Sequence, residues 1–504
     1  MFVCSRRDTI STPARSRSCA EVRPGGPHSR WIRAVGLLTL LPSLAEASGL
    51  DAPCVGALTS GPLTADPAAL FHNPARLSGL TRHTLSLGLG LVAGRASVTR
   101  RRLGAYQNED TLNFAGPIPA EDLDVSKTGS APEVTATPVS PTGDLFAALL
   151  TPRRGLVLGL GVYAPYAAIV DYPDDGAQRF AIQDANIVVA HLSGGLALQV
   201  NPELSVGLAV SYVQGQASMK KRQDFGALPD FGRGLSRPPI SQVNDFGADA
   251  PTMVRELNVL ERPISIHDAT ARAVTFNAGV HVAPNRDWDF ALTYQNGAAL
   301  DFEGDFTLDL DDDFFTGDLE HVGLRYAPFV QGDATVAFQL PKRLAVAAGR
   351  SLSPRYRLEG RLGYVRWSEL QTFRIELESA ALAQPRLGLP PRSSLSLPRA
   401  WNDTISVAVL GQAQGPESVT FAALLGYDSP ASPDSTVDAA SPDGHRLTFG
   451  AGLIFAASPD LSVSADARLQ SILPRTVTTS DYDLGNGEYT LLVASILAHV
   501  EVRL

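Results

Sequence analysis

The stretch Leu461-Ser462-Val463-Ser464-Ala465-Asp466-Ala467-Arg468-Leu469-Gln470 alternates without a slip. Leu461, Val463, Ala465, Ala467 and Leu469 fall on one face of an extended chain, and Ser462, Ser464, Asp466, Arg468 and Gln470 on the other. Successive side chains of a strand point to opposite faces, so this is a strand with one apolar and one polar side. The end of the chain repeats the pattern, with Ile496, Ala498, Val500, Val502 and Leu504 opposite His499, Glu501 and Arg503. A soluble sandwich and a membrane barrel both alternate; the links between strands tell them apart.

Outward from that stretch, alternating segments recur from Thr84 to the end. Fourteen strands are expected, at 84–100, 143–151, 155–166, 187–200, 203–217, 270–283, 286–300, 333–351, 355–371, 402–413, 416–428, 444–457, 460–472 and 489–504. The links between them are alternately short and long. Pro152-Arg153-Arg154, Asn201-Pro202, Pro284-Asn285, Leu352-Ser353-Pro354, Gln414-Gly415 and Ser458-Pro459 are short, and most have turn chemistry. The long ones cover 101–142, 167–186, 218–269, 301–332, 372–401, 429–443 and 473–488. Short turns on one side and long loops on the other predict a bacterial outer-membrane barrel, apolar outside and polar inside, because lipid tolerates a sheet only when it is closed. Pro341 divides 333–351; we keep one strand with the proline at a bulge or beyond the pairing region, since an odd count would place the chain ends on opposite sides.

Charge and cysteine narrow the classes further. The 504 residues carry 42 Lys+Arg against 52 Asp+Glu, a net charge of −10, which argues against nucleic acid as a partner. No run of eighteen apolar residues occurs, so the chain is not a helical membrane protein. Arg6, Arg7, Arg15, Arg17, Arg23, Arg30 and Arg33 precede an apolar run from Ala34 to Ala45 and a small-x-small site at Ala45-Glu46-Ala47, the order of an export signal. The expected domains are a signal peptide over 1–47, an N-terminal hatch over 48–83 and the barrel over 84–504. Of the three cysteines, Cys4 and Cys19 would leave with the signal, and Cys54 alone builds neither a disulfide frame nor a zinc site. It is expected to be a small buried side chain of the hatch.

The segment Ser60–Leu80 holds Asp66-Pro67-Ala68-Ala69-Leu70-Phe71-His72-Asn73-Pro74-Ala75: small residues, two rigid prolines and an Asn suited to capping a turn. That composition predicts a compact irregular plug. Strand glycines such as Gly88, Gly90, Gly159, Gly161, Gly194, Gly195, Gly450 and Gly452 either give it room or follow from barrel curvature. Tyr163, Tyr166, Tyr212, Trp288, Tyr294, Tyr364, Trp367, Trp401 and Tyr427 lie near strand ends and are read as interfacial girdles.

These residues carry a resemblance. The run with Asp66, Pro67, Asn73, Pro74 and Ala75 resembles the N-terminal hatch of the FadL/TodX family of outer-membrane transporters for long-chain fatty acids and other hydrophobic compounds, with its G…D…NPA pattern; Arg76 stands where many members have Gly. Tyr163-Ala164-Pro165-Tyr166, with Asp171-Tyr172 and Arg179-Phe180, is similar to the end of the family's third strand and the loop after it. Leu204 to Leu208 resembles its fifth strand, Tyr364-Val365-Arg366-Trp367-Ser368 its WS strand end, and Pro398 to Asp403 its W-x-D strand start. Gly426-Tyr427-Asp428-Ser429-Pro430 followed by Ser441-Pro442-Asp443-Gly444-His445-Arg446 resembles Y-D-x-S-P then P-D-x-x-R, one residue shorter in the first element. Family barrels usually end in an aromatic residue, and this chain ends in Leu504. The resemblance implies passive transport of a hydrophobic small molecule and an exit through the third strand, where Gly159, Gly161 and Pro165 would permit an inward kink.

Other chemistry is sparse. No G-x-x-x-x-G-K-[ST], H-E-x-x-H or G-x-S-x-G occurs, so no catalytic set, cofactor or metal is expected. His72 is read as a turn histidine making a local hydrogen bond. Asp309, Asp311, Asp313 and Glu320 have calcium-loop offsets, but Phe314 stands where the turn needs Gly; a solvated acidic loop is expected instead. Lys220, Lys221 and Arg222 are candidates for attracting a fatty-acid carboxylate or lipopolysaccharide phosphates, beside the plainer reading of ordinary loop charge. The fold class is therefore all-β, a 14-stranded antiparallel transmembrane barrel with a hatch in its lumen. It is expected as a monomer in the outer membrane of a Gram-negative bacterium, in contact with outer-membrane lipid and lipopolysaccharide. The rivals are a lipase-like barrel enzyme, for which His191 and His499 lack an obvious partner set, and a general porin.

Overall fold

In the computed structural model, the described residues are 54–101, 133–176, 178–224, 261–323, 326–383, 390–481 and 485–504. The expected export signal, residues 1–47, lies outside them. Fourteen strands form one antiparallel sheet. They are β1 (Thr84–Arg100), β2 (Val134–Ala136 and Val139–Leu150), β3 (Leu156–Asp171), β4 (Asp184–Gln199), β5 (Leu204–Asp224), β6 (Glu261–Val282) and β7 (Trp288–Gln295 and Ala298–Asp309). The second half holds β8 (Phe329–Leu340 and Arg343–Ser353), β9 (Tyr356–Val365 and Thr372–Glu378), β10 (Arg392–Pro398 and Thr404–Gln414), β11 (Val419–Asp428), β12 (Arg446–Ala456), β13 (Leu461–Ile472 and Arg475–Val477) and β14 (Gly487–Arg503). Each strand pairs with the next, and β14 closes on β1 from Thr84↔Arg503 to Arg100↔Gly487. No helix among the described residues is long and apolar enough to cross a membrane.

The short links are tight turns built from their own side chains. Asn201 Oδ1 accepts the N–H of Glu203 and Leu204, Asn285 Oδ1 those of Asp287 and Trp288, and Ser458 Oγ those of Asp460 and Leu461. Pro341 sits between the two pieces of β8, so a single strand crosses it and the count stays at fourteen.

The strands run further beyond the long-connection end than alternation suggested, and there the alternation changes sign. β7 to β10 are each interrupted at one level, at 296–297, 341–342, 366–371 and 399–403. Below the interruptions the outward side chains are apolar and exposed, including Phe290, Leu292, Leu344, Val346, Leu358, Leu362, Ile405 and Val407, while Asp289, Arg357, Glu359 and Arg361 point inward. Above them Leu300, Phe302, Phe306, Leu308, Val330, Val336, Phe338 and Ile375 are buried inside, and Asp301, Glu303, Asp305, Asp333, Arg374 and Glu378 face out. Uninterrupted β5 switches after Tyr212, from outward Val206, Leu208 and Val210 to outward Gln214 and Gln216. The lower part is sided for lipid and the upper part for water. An acidic stretch such as Asp301–Asp309 reads as loop only when apolar-out is assumed throughout.

Tyr294 and Tyr364 flank Leu344 in one cross-strand row at the switch, and both face outward, as do Tyr212 and Tyr427 on β5 and β11; Trp288 faces outward near the short-turn end. These fit a girdle. Tyr163, Tyr166, Trp367 and Trp401 do not; all four are buried inside.

Residues 54–80 pack against the inward face of the lower wall. α1 (Ala69–His72) is a single turn followed by a 3-10 turn, Pro74–Gly79, and Asn73 caps the latter by accepting the Ala75 N–H at 3.1 Å. Wall glycines make the seat. A β-carbon at Gly207 would strike the Pro74-Ala75 backbone, and one at Gly279 would overlap Asn73 Oδ1. Gly159, Gly161 and Gly195 leave a recess for Leu70, and Gly450 and Gly452 one for Leu58. Gly88 instead makes room for His499 of the wall. Cys54 is buried, as expected of a small hydrophobe.

Candidate ligand site in the barrel lumen

An irregular segment has many backbone groups without internal partners, and a polar wall is what satisfies them. Asp144 accepts the Gly56 N–H at 2.8 Å and Asp466 the Leu58 N–H at 3.0 Å. Arg468 donates to Gly56 O at 3.1 Å and Arg361 to Ser60 O at 3.2 Å. Asn277 Nδ2 donates to the carbonyls of Leu70 and Phe71 (2.8 and 2.9 Å), Gln295 to Phe71 O (2.8 Å), and Asn73 Nδ2 to Pro62 O and Val280 O (2.8 and 3.3 Å). Asp66 accepts from Ser60 Oγ at 2.6 Å and from the Ala69 N–H at 2.9 Å, directly before Pro67 and the helical turn. Burial pushes its carboxyl up to about 6, against the Ser60 hydrogen bond. His72 Nε2 lies 2.9 Å from Val55 O, a partner outside its own turn where a local bond was expected, and burial lowers it to about 4.

Above this segment lies a cavity of about 140 Å³. Its walls are largely apolar, among them Ile169, Ile187, Met219, Ile375, Leu491 and Val493, and it also touches Lys221, Arg399, Trp401 and Arg95, the last exposed on the outward side of β1. Lys221 turns inward on β5 beyond a bulge between Ala217 and Met219, and is committed to no carboxylate among the described residues. Arg399 and Trp401 come from the interruption of β10, where Ala400 takes a left-handed φ of 46°. The N–H groups of Arg399 and Ala400 both donate to Gln371 O, which ties this interruption to that of β9. The Arg399 guanidinium lies 4.9 Å from the centre of the Phe373 ring, and Trp401 meets Trp367 edge-on at 5.2 Å. Arg399 is 5 % exposed and Trp401 1 %, yet Arg399 Nε and Trp401 Nε1 have no acceptor among the described residues. Two cations and an indole thus stand at one end of an apolar space, a residue set suited to an anion on an apolar chain.

The structure divides the basic triplet. Lys220 pairs with Asp174 at 2.8 Å in solvent. Arg222 lies 3.8 Å from Glu261, which Arg179 holds at 2.7 and 3.2 Å in a buried pair. Only Lys221 reaches the cavity. Arg399 and Trp401 were not singled out as ligand residues from the sequence; a cation and an aromatic either side of a strand interruption is the signal that would have found them.

The third strand loses one of its two neighbours part-way. Its ladder with β2 ends at Asp144↔Tyr163, and beyond an extra residue at Ala164-Pro165 it pairs with β4 alone. Gly159 and Gly161 lie below that point within the paired part, and Pro165 lies at the bulge. Pro138 on one side of the gap and Ala168, Ile169 and Val170 on the other line the cavity. Elsewhere, the acidic loop after β7 closes on a side chain: Arg262 donates to Asp309 O and Asp311 O and lies 3.8 Å from Asp312. His499 pairs with Asp144 at 3.3 Å, and His191 stacks at an angle on Tyr163 and Tyr166.

A closed membrane barrel with its lumen occupied by its own N-terminal segment and an apolar cavity above it is the build of an outer-membrane channel for small molecules. The family described as "Outer membrane protein transport protein (OMPP1/FadL/TodX)" matches residues 52–495, and the chain belongs to it. It is 23 % identical over 393 residues to the long-chain fatty acid transport protein of Escherichia coli K12, covering 75 % of this chain and 82 % of that one. The corresponding protein of E. coli O6:H1 is 21 % identical, with 84 % of each chain covered. Among solved structures, a Pseudomonas aeruginosa FadL homologue superposes with a TM-score of 0.69 at 18 % identity (92 % of this chain, 100 % of that one). The Pseudomonas putida toluene transporter TodX gives 0.61 at 15 % (92 % and 98 %).

Proposed function

We propose that this protein passes long-chain carboxylates, fatty acids foremost, across the outer membrane without an energy source. The observation that carries the reading is the apolar cavity with Lys221, Arg399 and Trp401 at its wall. An apolar chain gains roughly 0.8 kcal/mol for each CH₂ it moves out of water, so a water-filled pore would not hold it and an apolar pocket does. The carboxylate meets the cations while the chain lies among Ile187, Met219, Ile375 and Val493. The E. coli relatives are long-chain fatty acid transport proteins, which supports the same substrate class.

In this reading residues 1–47 are an export signal and 48–83 a hatch that blocks the lumen below the cavity. Asp66, Pro67, Asn73, Pro74 and Ala75 hold the hatch in its seat. The ligand leaves sideways through the gap between β2 and β3, where Pro165 ends the pairing and Gly159 and Gly161 let Leu70 pack close to the wall. The protein acts as a monomer, with lipid and lipopolysaccharide around it and no catalytic step. Lys220 and Arg222, facing their own partners, contribute charge to the outer mouth.

The test is radiolabelled oleate binding to the purified protein and its flux into liposomes, beside the flux of small sugars. Saturable oleate binding, oleate flux and no sugar flux are expected; sugar flux without oleate binding would establish a porin instead. Deleting residues 48–83 is expected to raise ion conductance in planar bilayers, and unchanged conductance would remove the hatch from the scheme.

A further inference from the structure

The cationic wall of the cavity carries its own counter-ion. Asp438, from the loop between β11 and β12, places Oδ2 2.6 Å from Arg399 Nη1. Its other oxygen accepts the N–H groups of Ala440 and Ser441 at 3.0 and 3.2 Å, so the turn itself fixes this carboxylate. Thr436 Oγ1 of the same loop donates to Arg399 O, and Ala440, Ser441 and Pro442 form part of the cavity wall. Arg399, clamped between this loop and the Phe373 ring, cannot turn away. One edge of its guanidinium is taken, while among the described residues Nε has no acceptor and Lys221 no carboxylate.

We infer that Asp438 is a specificity-determining residue. It neutralises Arg399, and Arg95 of the lining is exposed on the outward side of β1, so Lys221 is the one inward-facing positive charge of the lining that the cavity offers a ligand uncompensated. That charge matches the headgroup of a monoanionic amphiphile. With both cations uncompensated, the empty site would bury a second unpaired charge, which is costly. With neither, an ionised chain would gain nothing over a neutral one. The inference rests on the carboxylate reading of the cavity given above and adds which residue sets the preference.

Oleate and oleyl alcohol share a chain and differ in charge, so the ratio of their affinities for the full-length protein in detergent reads the site directly. The unaltered protein is expected to prefer oleate. Asp438→Asn raises the oleate-to-alcohol ratio about tenfold, because a negative charge near the ligand carboxylate is gone. Asp438→Glu keeps the original ratio. Lys221→Met lowers the ratio by about as much, and it serves as the test if Asp438→Asn fails to assemble. An unchanged or lowered ratio in Asp438→Asn, with the unaltered protein still preferring oleate, overturns the role of Asp438 alone, as does an unchanged ratio in Lys221→Met. No preference in the unaltered protein removes the carboxylate reading and this inference with it.

Discussion

Above and below the interruptions of β7 to β10, one continuous wall obeys opposite rules. Below, apolar side chains face out because lipid surrounds them, and the polar ones inside meet a segment whose backbone needs hydrogen bonds. Above, water is outside, and the apolar face turns in on itself and on the cavity. The difference shows that lumen polarity follows from the lumen's contents. A wall that holds irregular backbone has to supply donors and acceptors, and a wall that holds an apolar ligand has to withhold them.

The largest expected effect comes from reversing the upper rule. Phe306 is fully buried above the interruptions, and Phe306→Ala should cost about 3–5 kcal/mol in urea unfolding, against about 0.5–1.5 kcal/mol for Ser211→Ala, which removes one hydrogen bond to Ser193 on the lower inner wall. Comparable losses at the two sites would mean that the upper chamber is not a packed core. The lower rule is tested on a single strand. Leu208 and Gln216 both face out on β5, on either side of Tyr212. Leu208→Arg should cost about 2–4 kcal/mol in lipid vesicles, and Gln216→Arg should stay within about 0.5 kcal/mol. Equal costs would move the membrane boundary.

The lower half was legible in the sequence because lipid imposes one rule on every strand that crosses it. Strands such as 84–100 and 460–472 stand essentially where alternation put them, and the tight turns at Asn201 and Ser458 mark their ends. The upper half was not. Phe302, Phe306 and Leu308 alternate with Glu303, Asp305 and Thr307 as regularly as any lower strand, but with the sides exchanged, and the acidic side chains read as loop. The same inversion hid the ligand wall. Lys221 came to notice as charge in a supposed loop; Arg399 and Trp401 lie where β10 breaks, and only the closure of the barrel brings them to the cavity that Lys221 lines. Asn73 as a cap was legible because capping is a local matter.

The seat of residues 54–80 tests the polar lower lumen from within. Asn277→Leu keeps the bulk and removes the donor shared by Leu70 O and Phe71 O, and should weaken the seat by about 1–3 kcal/mol, seen as raised ion conductance. Acidity acts on the seat twice, with opposite signs. His72, at about 4 when seated against an ordinary 6.5, takes up a proton more readily when released, so its contribution is lost as pH falls from 6.5 towards 4. Asp66, at about 6 against 3.8, holds its proton better when seated, so its contribution is full below 3.8 and lost as pH rises through 6. The two offset each other in the protein as it stands. Asp66→Asn should therefore become more conductive at pH 4.5 than at pH 7, and His72→Gln less so; identical pH responses would show that neither group titrates within the seat.

The smallest effect separates the halves by sign. Asp333 lies directly opposite Asp305 on one neighbouring strand and Glu378 on the other, all three facing out above the interruptions. Like charges directly opposite destabilise a sheet, so a lysine in the middle of the row replaces two repulsions with two attractions. In water each exposed pair is worth about 0.2–1 kcal/mol, and Asp333→Lys should stabilise the barrel by an amount of that order, shrinking as salt is added. If this surface lay in lipid instead, the same lysine would destabilise it, and salt would not matter. A stabilising, salt-sensitive shift in the urea midpoint therefore places the row in water, whereas a loss of stability that ignores salt would return the upper half of β7 to β9 to the membrane and undo the contrast between the two halves.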